Sequence, residues 1–524
     1  MLTVHEPRAA RKRNRRSRRA HMLTADPPVP PSGRLAAWSA IWENPVAAFA
    51  VFAALHAVVW TLLPALLFPN LPLDLIEALV YGREWQLGHD KLPPLPWWIV
   101  EILYRAFGSD VAYYLFAQLT VIAAFAFVFA TARRIVGGWG AMAAVLIIDG
   151  LHYFNFTAPK FNHDVIQLPF WAMAGFAFHA ALRGGRLVHW VLLGIALGAA
   201  VWAKYFVVVL AVPMALFLLL DPQARRSLAT AGPWLAAAIA LLVAAPHLVW
   251  LVQNDFLPLR YADERSLPAR GPLDHLWHPA RFLGLQLFAL VPAVFIAGTM
   301  FVNVERREDA QAFDRRIVTL LAFGPVAVVL ALSIVTGRGL VTLWGYPLWL
   351  FFGLWIVMAS RTVVEALRVK YTAAAWAGIA ATYIVGFVVH YGILPQRSDA
   401  YYASRFPGEA LARHVAEGFR EKTGRPLDYV ISTMWLGGNV SHYAPGIRPR
   451  VLIDGKPQRG PWIDLADLRR KGAVLLWTEP DRENLQSEYE RIFRGAQVQP
   501  PFTVRNRGKS DSTAFGWAIL PPEK

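Results

Sequence analysis

Long apolar runs fill the chain from about residue 46 to residue 394, separated by short basic turns or by longer aromatic segments. Several reach the roughly 20 residues needed to cross a bilayer core of about 30 Å. A backbone with that pattern must satisfy its own polar groups in lipid, which predicts a polytopic α-helical membrane protein. The pattern divides into about eleven spans. They lie near residues 46–68, 111–133, 139–153, 163–182, 188–202, 204–220, 231–252, 280–302, 316–335, 340–359 and 371–392. After about residue 394 the pattern changes to short β-like runs at 428–433, 450–453, 472–477 and 515–520, alternating with helical patterns near 405–422 and 481–494. This predicts a small α/β domain of about 130 residues. The organisation expected is therefore a basic N-terminal segment (1–45), a transmembrane domain (46–394) whose first outer loop spans 69–110, and an extracytoplasmic α/β domain (395–524) that caps it.

Composition agrees with the pattern: the 524 residues are 56% hydrophobic and 17% charged, with 21 Trp and 31 Phe. The absence of cysteine removes disulfides, zinc-thiolate sites and thiol nucleophiles from consideration. The net charge of +16 is uneven, and residues 8–21 (RAARKRNRRSRRAH) carry eight bases before any span. Such a run can bind nucleic acid or anionic lipid, but ahead of a first span its plainer use is to anchor the N-terminus in the cytoplasm. No nucleic-acid partner is expected. The first apolar run begins late and is too long for a cleaved leader, so it reads as a retained helix. With the N-terminus inside, the inner connections beginning at residues 132, 183, 221, 303 and 360 all carry Arg or Lys, as positive-inside requires. An odd number of spans then places the C-terminal domain outside, in the periplasm of a bacterial inner membrane.

The first outer connection, PLDLIEALVYGREWQLGHDKLPPLPWW (72–98), is richer than a turn needs. Asp74, Glu77, Tyr81 and Glu84 recur at helical spacing, with Leu75, Ile76, Leu79, Val80 and Leu87 on the other side. The spacing predicts a helix lying on the outer membrane surface, apolar side in lipid. A merely solvated polar face gives the same spacing. A Gly stop, a Pro-Pro start and two interfacial tryptophans follow.

At these residues the sequence resembles the lipid-linked-sugar glycosyltransferases of the protein mannosyltransferase and aminoarabinose transferase superfamily, which have the GT-C fold. Their first outer loop opens on an acidic pair and closes on His-Pro-Pro-Leu; here Asp74 and LPPL (92–95) match, while Leu75 stands for the second acid and Leu92 for the His. APKFNHDVIQLPFWAMA (158–174) resembles the second outer loop, with Asp164 at the acid preceding a span. GIALGAAVWAKYFVVVL (194–210) resembles a Gly-rich helix ending in Thr-Lys-Tyr, with Ala203 for Thr and Lys204 for Lys. APHLVWLVQNDFLPLRY (245–261) and WGYPLWLFFG (344–353) resemble later span motifs, and the whole is most similar to rhizobial-type transferases that decorate lipid A or core sugars.

The resemblance implies transfer of a sugar from polyprenyl phosphate to an acceptor hydroxyl on the outer face. The partners it implies are the lipid-linked donor, an envelope lipid or glycan acceptor such as lipid A or lipopolysaccharide core, and the surrounding membrane lipids. A carboxylate must take the hydroxyl proton; Asp74 is expected in that role, with Asp164 and then Glu77 beside it. A leaving phosphate needs cations; Lys204 is expected first, followed by Arg260, Lys160, Arg338 and Lys91. All of these fall in connections assigned to the outer side. His89, His163, His275 and His278 lack zinc spacing and read as structural or acceptor-contact residues. No cofactor and no metal site is called for, although a divalent ion stays open. Hexosyl, pentosyl and uronosyl donors all fit. Two other functions stay open: a carrier or flippase for a lipid-linked sugar, which would need charges deep in the spans, where mainly Asp149 and Glu101 qualify; and a non-catalytic scaffold on a degenerate transferase fold.

Overall fold

The structure, a computed structural model, describes residues 43–302, 312–397, 401–479, 493–507 and 512–523. The basic run at 8–21 and most of the helical pattern at 481–494 lie outside the described residues. Residues Pro45–Lys524 form one compact unit.

Its membrane part begins with α1 (Pro45–Leu67). Two shorter helices, α2 (Leu73–Gly82) and α3 (Leu95–Phe107), lie in the connection expected as the first outer loop, and α4 (Val111–Asp149) follows. Next come α5 (His163–Gly184), α6 (Leu187–Ala203), α7 (Val208–Leu220) and α8 (Ala231–Gln253). The short α9 (Leu257–Arg265) leads to α10 (Asp274–Ala297), α11 (Ala312–Thr336), α12 (Phe352–Ser360) and α13 (Ala366–Val388).

Among the described residues seven helical segments are long and apolar enough to cross a membrane, rather than eleven. The differences have local causes. The spans expected at 111–133 and 139–153 are one helical run broken at Gly137, whose φ of 80° only glycine adopts without strain. Those at 188–202 and 204–220 are shorter apolar helices, parted where Lys204 goes extended. The stretch 340–359 is regular helix only in α12; before it, Thr342–Gly345 form a 3-10 turn and residues 345–352 a series of tight turns. Hydropathy cannot see this, because the turns are buried in protein, where irregular backbone is tolerated if its polar groups are met. Gln286 of α10 meets them: its Nε2 donates to the Thr342 carbonyl at 2.9 Å, and its Oε1 accepts from Trp349 at 3.0 Å and Tyr153 at 3.1 Å.

The C-terminal part is a five-stranded sheet of order β2-β1-β3-β5-β4. Strands β1 (Tyr429–Ser432), β2 (Arg450–Ile453) and β3 (Ala473–Thr478) run parallel, and β5 (Ser512–Leu520) returns antiparallel between β3 and β4 (Gln497–Arg505). Helix α14 (Gly408–Thr423) precedes β1, α15 (Met434–Tyr443) crosses from β1 to β2, and α16 (Leu465–Lys471) from β2 to β3. Val430, Leu476 and Phe515 pack under α14 and α15, while Ile431, Leu452 and Leu475 face the other side, where Leu468 of α16 packs.

This domain changes the reading of α2. Leu75, Ile76, Leu79 and Val80 are buried at 0–2% exposure, so the apolar side of the helix does not lie in lipid. It packs on α15, where a side chain at Gly438 would meet Ile76 at 2.5 Å. An amphipathic period states that one face is buried, not what buries it. Ion pairs fasten the same contact: Arg448 with Glu101 at 2.7 Å, Arg459 with Asp90 at 3.0 Å, and Arg450 with Glu84.

Candidate active site

With its apolar side against α15 and α3, helix α2 turns Asp74 and Glu77 the other way. Asp74 is half-buried, and its Oδ2 accepts from Asn162 Nδ2 at 2.8 Å. Asn162 is the N-cap of α5: its Oδ1 takes the Asp164 and Val165 amides at 3.0 and 3.3 Å. One amide side chain thus joins the first acid to the helix end that presents the second.

Asp164 accepts from Lys204 Nζ at 2.5 Å and from Gln167 Nε2 at 3.2 Å. Lys204 reaches it because α6 stops there, and the ammonium also lies 5.8 Å from the Phe206 ring and 5.7 Å from that of Trp344. Glu77 pairs with Lys91 at 2.9 Å, and Lys91 lies over Tyr261. Burial raises the Glu77 carboxyl above the ordinary carboxylate range; Lys91 opposes that rise and the nearby Asp74 adds to it.

These groups border one cavity of about 460 Å³. Its polar wall holds Asp74, Glu77, Asn162, Asp164, Lys204 and Arg265; Leu92, Val208, Val209, Val329, Leu332 and Leu343 are among its apolar lining, with Trp97, Phe161, Phe206 and Trp344. Five separate connections supply the wall, so the loop after α1, the start of α5, the α6–α7 break, α9 and the segment after α11 meet at one end of the bundle. Carboxylates and cations on one side of an otherwise apolar pocket suit a ligand with a polar head and a hydrocarbon chain.

Of the residues expected from the sequence, Asp74, Glu77, Asp164 and Lys204 line the cavity, and Lys91 stands behind Glu77. The other three expected cations are outside the lining. Arg260 is exposed on α9, and Lys160 sits on the 3-10 turn Ala158–Lys160. Arg338 pairs with Asp263 at 2.7 Å and donates to Ser266 Oγ at 2.9 Å, fastening the end of α9.

Two wall residues escaped the sequence reading. Asn162 carries the ordinary sign of an N-cap, one residue ahead of a helix. Arg265 follows Pro258, Tyr261 and Ala262 on one helical face, and all four line the cavity. Among the described residues Arg265 makes no side-chain hydrogen bond or ion pair, which leaves its guanidinium available to a ligand.

The four histidines are placed apart. His89 is boxed by Tyr81, Trp97 and Trp462, and burial holds its imidazole down at about 3. His163 donates to the Pro93 carbonyl at 2.9 Å and His275 to that of Ile334 at 2.6 Å, while His278 stands 3.6 Å from Asp274. Among the described residues no three His, Asp or Glu side chains gather as metal ligands.

Residues 91–250 match the family model described as dolichyl-phosphate-mannose-protein mannosyltransferase, a stretch that contains Asp164 and Lys204. The lipid A galacturonosyltransferase RgtD of Rhizobium johnstonii is 27% identical over 259 residues, 48% of this chain and 53% of that protein. The chain thus spans about half the length of that relative. The lipopolysaccharide core galacturonosyltransferase RgtB of the same organism is 25% identical over 435 residues, 78% of this chain and 83% of its own. ArnT from Cupriavidus metallidurans, solved with undecaprenyl phosphate, superposes with a TM-score of 0.61 at 13% identity, covering 91% of this chain and 99% of ArnT. Its apo form gives 0.60 at 12% identity. Helical bundle, appended sheet domain and structural neighbours agree on the architecture: the chain is a multi-pass membrane protein with the GT-C fold, similar over residues 91–250 to the protein mannosyltransferase family.

Proposed function

We propose that this protein transfers a sugar from a polyprenyl-phosphate donor to a lipid A, core or other envelope acceptor on the periplasmic face of a bacterial inner membrane. The sugar is an acidic hexose, as the names of the two rhizobial relatives suggest. The observation that carries this reading is the cavity itself, where Asp74 and Asp164 stand beside Lys204 and Arg265 against a wall of Val and Leu.

In this reading the acceptor oxygen attacks the anomeric carbon while Asp74 takes its proton. The bond from that carbon to the phosphate oxygen breaks, and its electron pair leaves with the lipid phosphate. Asp74 suits the base because Asn162 occupies only one of its oxygens, whereas Asp164 is already paired with Lys204. Asp164 then orients substrate and holds Lys204 in place. Arg265 and Lys204 supply the positive charge that meets the departing phosphate, and no cofactor is asked for. Lys91 keeps Glu77 in register at the cavity edge.

The test is mass spectrometry of the lipid fraction from a deletion strain and from strains restored with wild type or Asp74→Asn. Loss of one sugar mass that wild type restores and Asp74→Asn does not is the expected result. Full rescue by Asp74→Asn overturns the assignment of the base.

A further inference from the structure

Beside the main cavity lies a second one of about 300 Å³, lined by Arg265, Leu267, His278, Arg281, Phe282, Leu285 and the strap 339–342. Arg265, Leu340 and Val341 line both, so the two spaces are neighbours across one guanidinium. The reaction as described uses nothing on the far side of Arg265.

The annex is built rather than incidental. Its strap is fixed by a two-way bridge, Leu267 N to the Gly339 carbonyl at 3.2 Å and Gly339 N to the Leu267 carbonyl at 2.9 Å. A side chain at Gly339 would stand 2.8 Å from Leu267 and 3.1 Å from His278 Nδ1, so only glycine lets the strap lie against the histidine. Asp274 Oδ1, one turn earlier in α10, stands 3.6 Å from His278 Nε2, within ion-pair range but too far for a hydrogen bond.

Arg281 lies two turns into α10, within a segment apolar enough to span the membrane. Among the described residues its guanidinium has no hydrogen bond or ion pair. Its side chain is exposed near the first end of that segment, where a long basic side chain also reaches headgroups. It borders a cavity with a second arginine and a histidine, and among the described residues no carboxylate lines that cavity.

The geometry points to an oxyanion subsite: the annex, through Arg281 and His278, holds an anionic group of a substrate whose reacting end lies in the main cavity. This rests on the transferase reading above and deepens it. The group is the carboxylate of the donor sugar or a phosphate of the acceptor, both planar or tripodal oxyanions that a guanidinium meets with paired hydrogen bonds.

The experiment uses the full chain in nanodiscs of neutral lipid. Binding of a polyprenyl-phosphate hexuronate and of the matching neutral hexose lipid is measured by native mass spectrometry, and lipid A with and without its phosphates is titrated in parallel. Wild type should bind the charged member of one pair about tenfold more tightly, and Arg281→Gln and His278→Gln should each erase that preference while leaving the neutral member unaffected. Arg270→Gln, which removes a nearby surface charge outside the annex, should keep it. Preference in the donor pair identifies the carboxylate; preference in the acceptor pair identifies the phosphate. Headgroup anchoring alone leaves both pairs without preference and overturns the subsite, as does a preference that both variants retain. Turnover separates the two readings: a wild type that transfers sugar without such preference sinks only the annex. A preference lost in Arg281→Gln with no transfer by wild type sinks the transferase reading instead.

Discussion

The two ends of the helical bundle use the same residue types for opposite purposes. At the end away from the cavity, Asp221 accepts from the amides of Gln223 and Ala224 and from Arg316 at 2.6 Å. Burial alone would raise its carboxyl, but those amides and Arg316 carry it below the usual range. Asp314 there takes His179 at 3.0 Å and Arg183 at 3.2 Å, so α5 and α11 are pinned together. At the cavity end Asp74 has one side-chain partner, Asp164 borders open space, and Arg265 has no partner among the described residues. Burial and pairing occur at both ends. What separates a staple from a site is whether the charges are closed on each other or left bordering a void.

The sharpest way to break that distinction is Asp74→Asn. Asparagine keeps the shape, and its amide oxygen still accepts from Asn162, so the fold should hold while turnover falls about 10³-fold. Turnover is read on purified protein with a lipid-linked donor, alongside its thermal midpoint. Lys204→Met comes next, with an expected loss of about 10²-fold as the site forfeits a cation. It also leaves the half-buried Asp164 without its countercharge, so Lys204→Met/Asp164→Asn should recover stability and not activity. Recovery of both would make the pair a staple like those at the other end.

At that other end the expectation inverts. Arg316→Ala should cost about 1–2 kcal/mol of stability, discounted because the arginine is half-exposed, while turnover per folded molecule stays at the wild-type level. A fall in turnover at constant stability would mean that the two ends are coupled.

How much of this was legible in the sequence follows the same division. Asp74, Asp164 and Lys204 could be found because each stands at a matching position of a motif resembling the transferase superfamily, and each falls in a connection assigned to the same side. Arg265 was hidden beside Arg260 in one short stretch, and only the turn of α9 decides which of the two faces the cavity. The apolar side of α2 was legible as buried, but its partner α15 lies about 360 residues away, beyond any periodicity. The run 340–359 read as a span because hydropathy averages over Gly345 and Pro347, the residues that turn the chain.

The smallest effect sharpens the comparison within the first loop. His89 is buried and Glu77 half-buried, but Glu77 has Lys91 and His89 has rings: Tyr81 at 4.6 Å, Trp97 at 4.9 Å and Trp462 at 5.2 Å between centroids. Among the described residues neither ring nitrogen of His89 has a hydrogen-bond partner. Its imidazole is held at about 3 by burial, against 6.5 for an ordinary histidine, so the native state keeps it neutral. The unfolded chain takes up a proton as the pH drops below that ordinary value, and the native chain does not. The contribution of His89 to stability is therefore complete above it and is lost as the pH falls toward the folded value. His89→Phe fills the same aromatic box without polar atoms. It should stabilise the protein by about 1 kcal/mol at neutral pH. Its advantage should then widen by up to about 1.4 kcal/mol for each unit of acidification below the ordinary histidine range. Thermal midpoints of both proteins across that range decide it: a constant difference would mean that His89 is protonated in the native state or is paired.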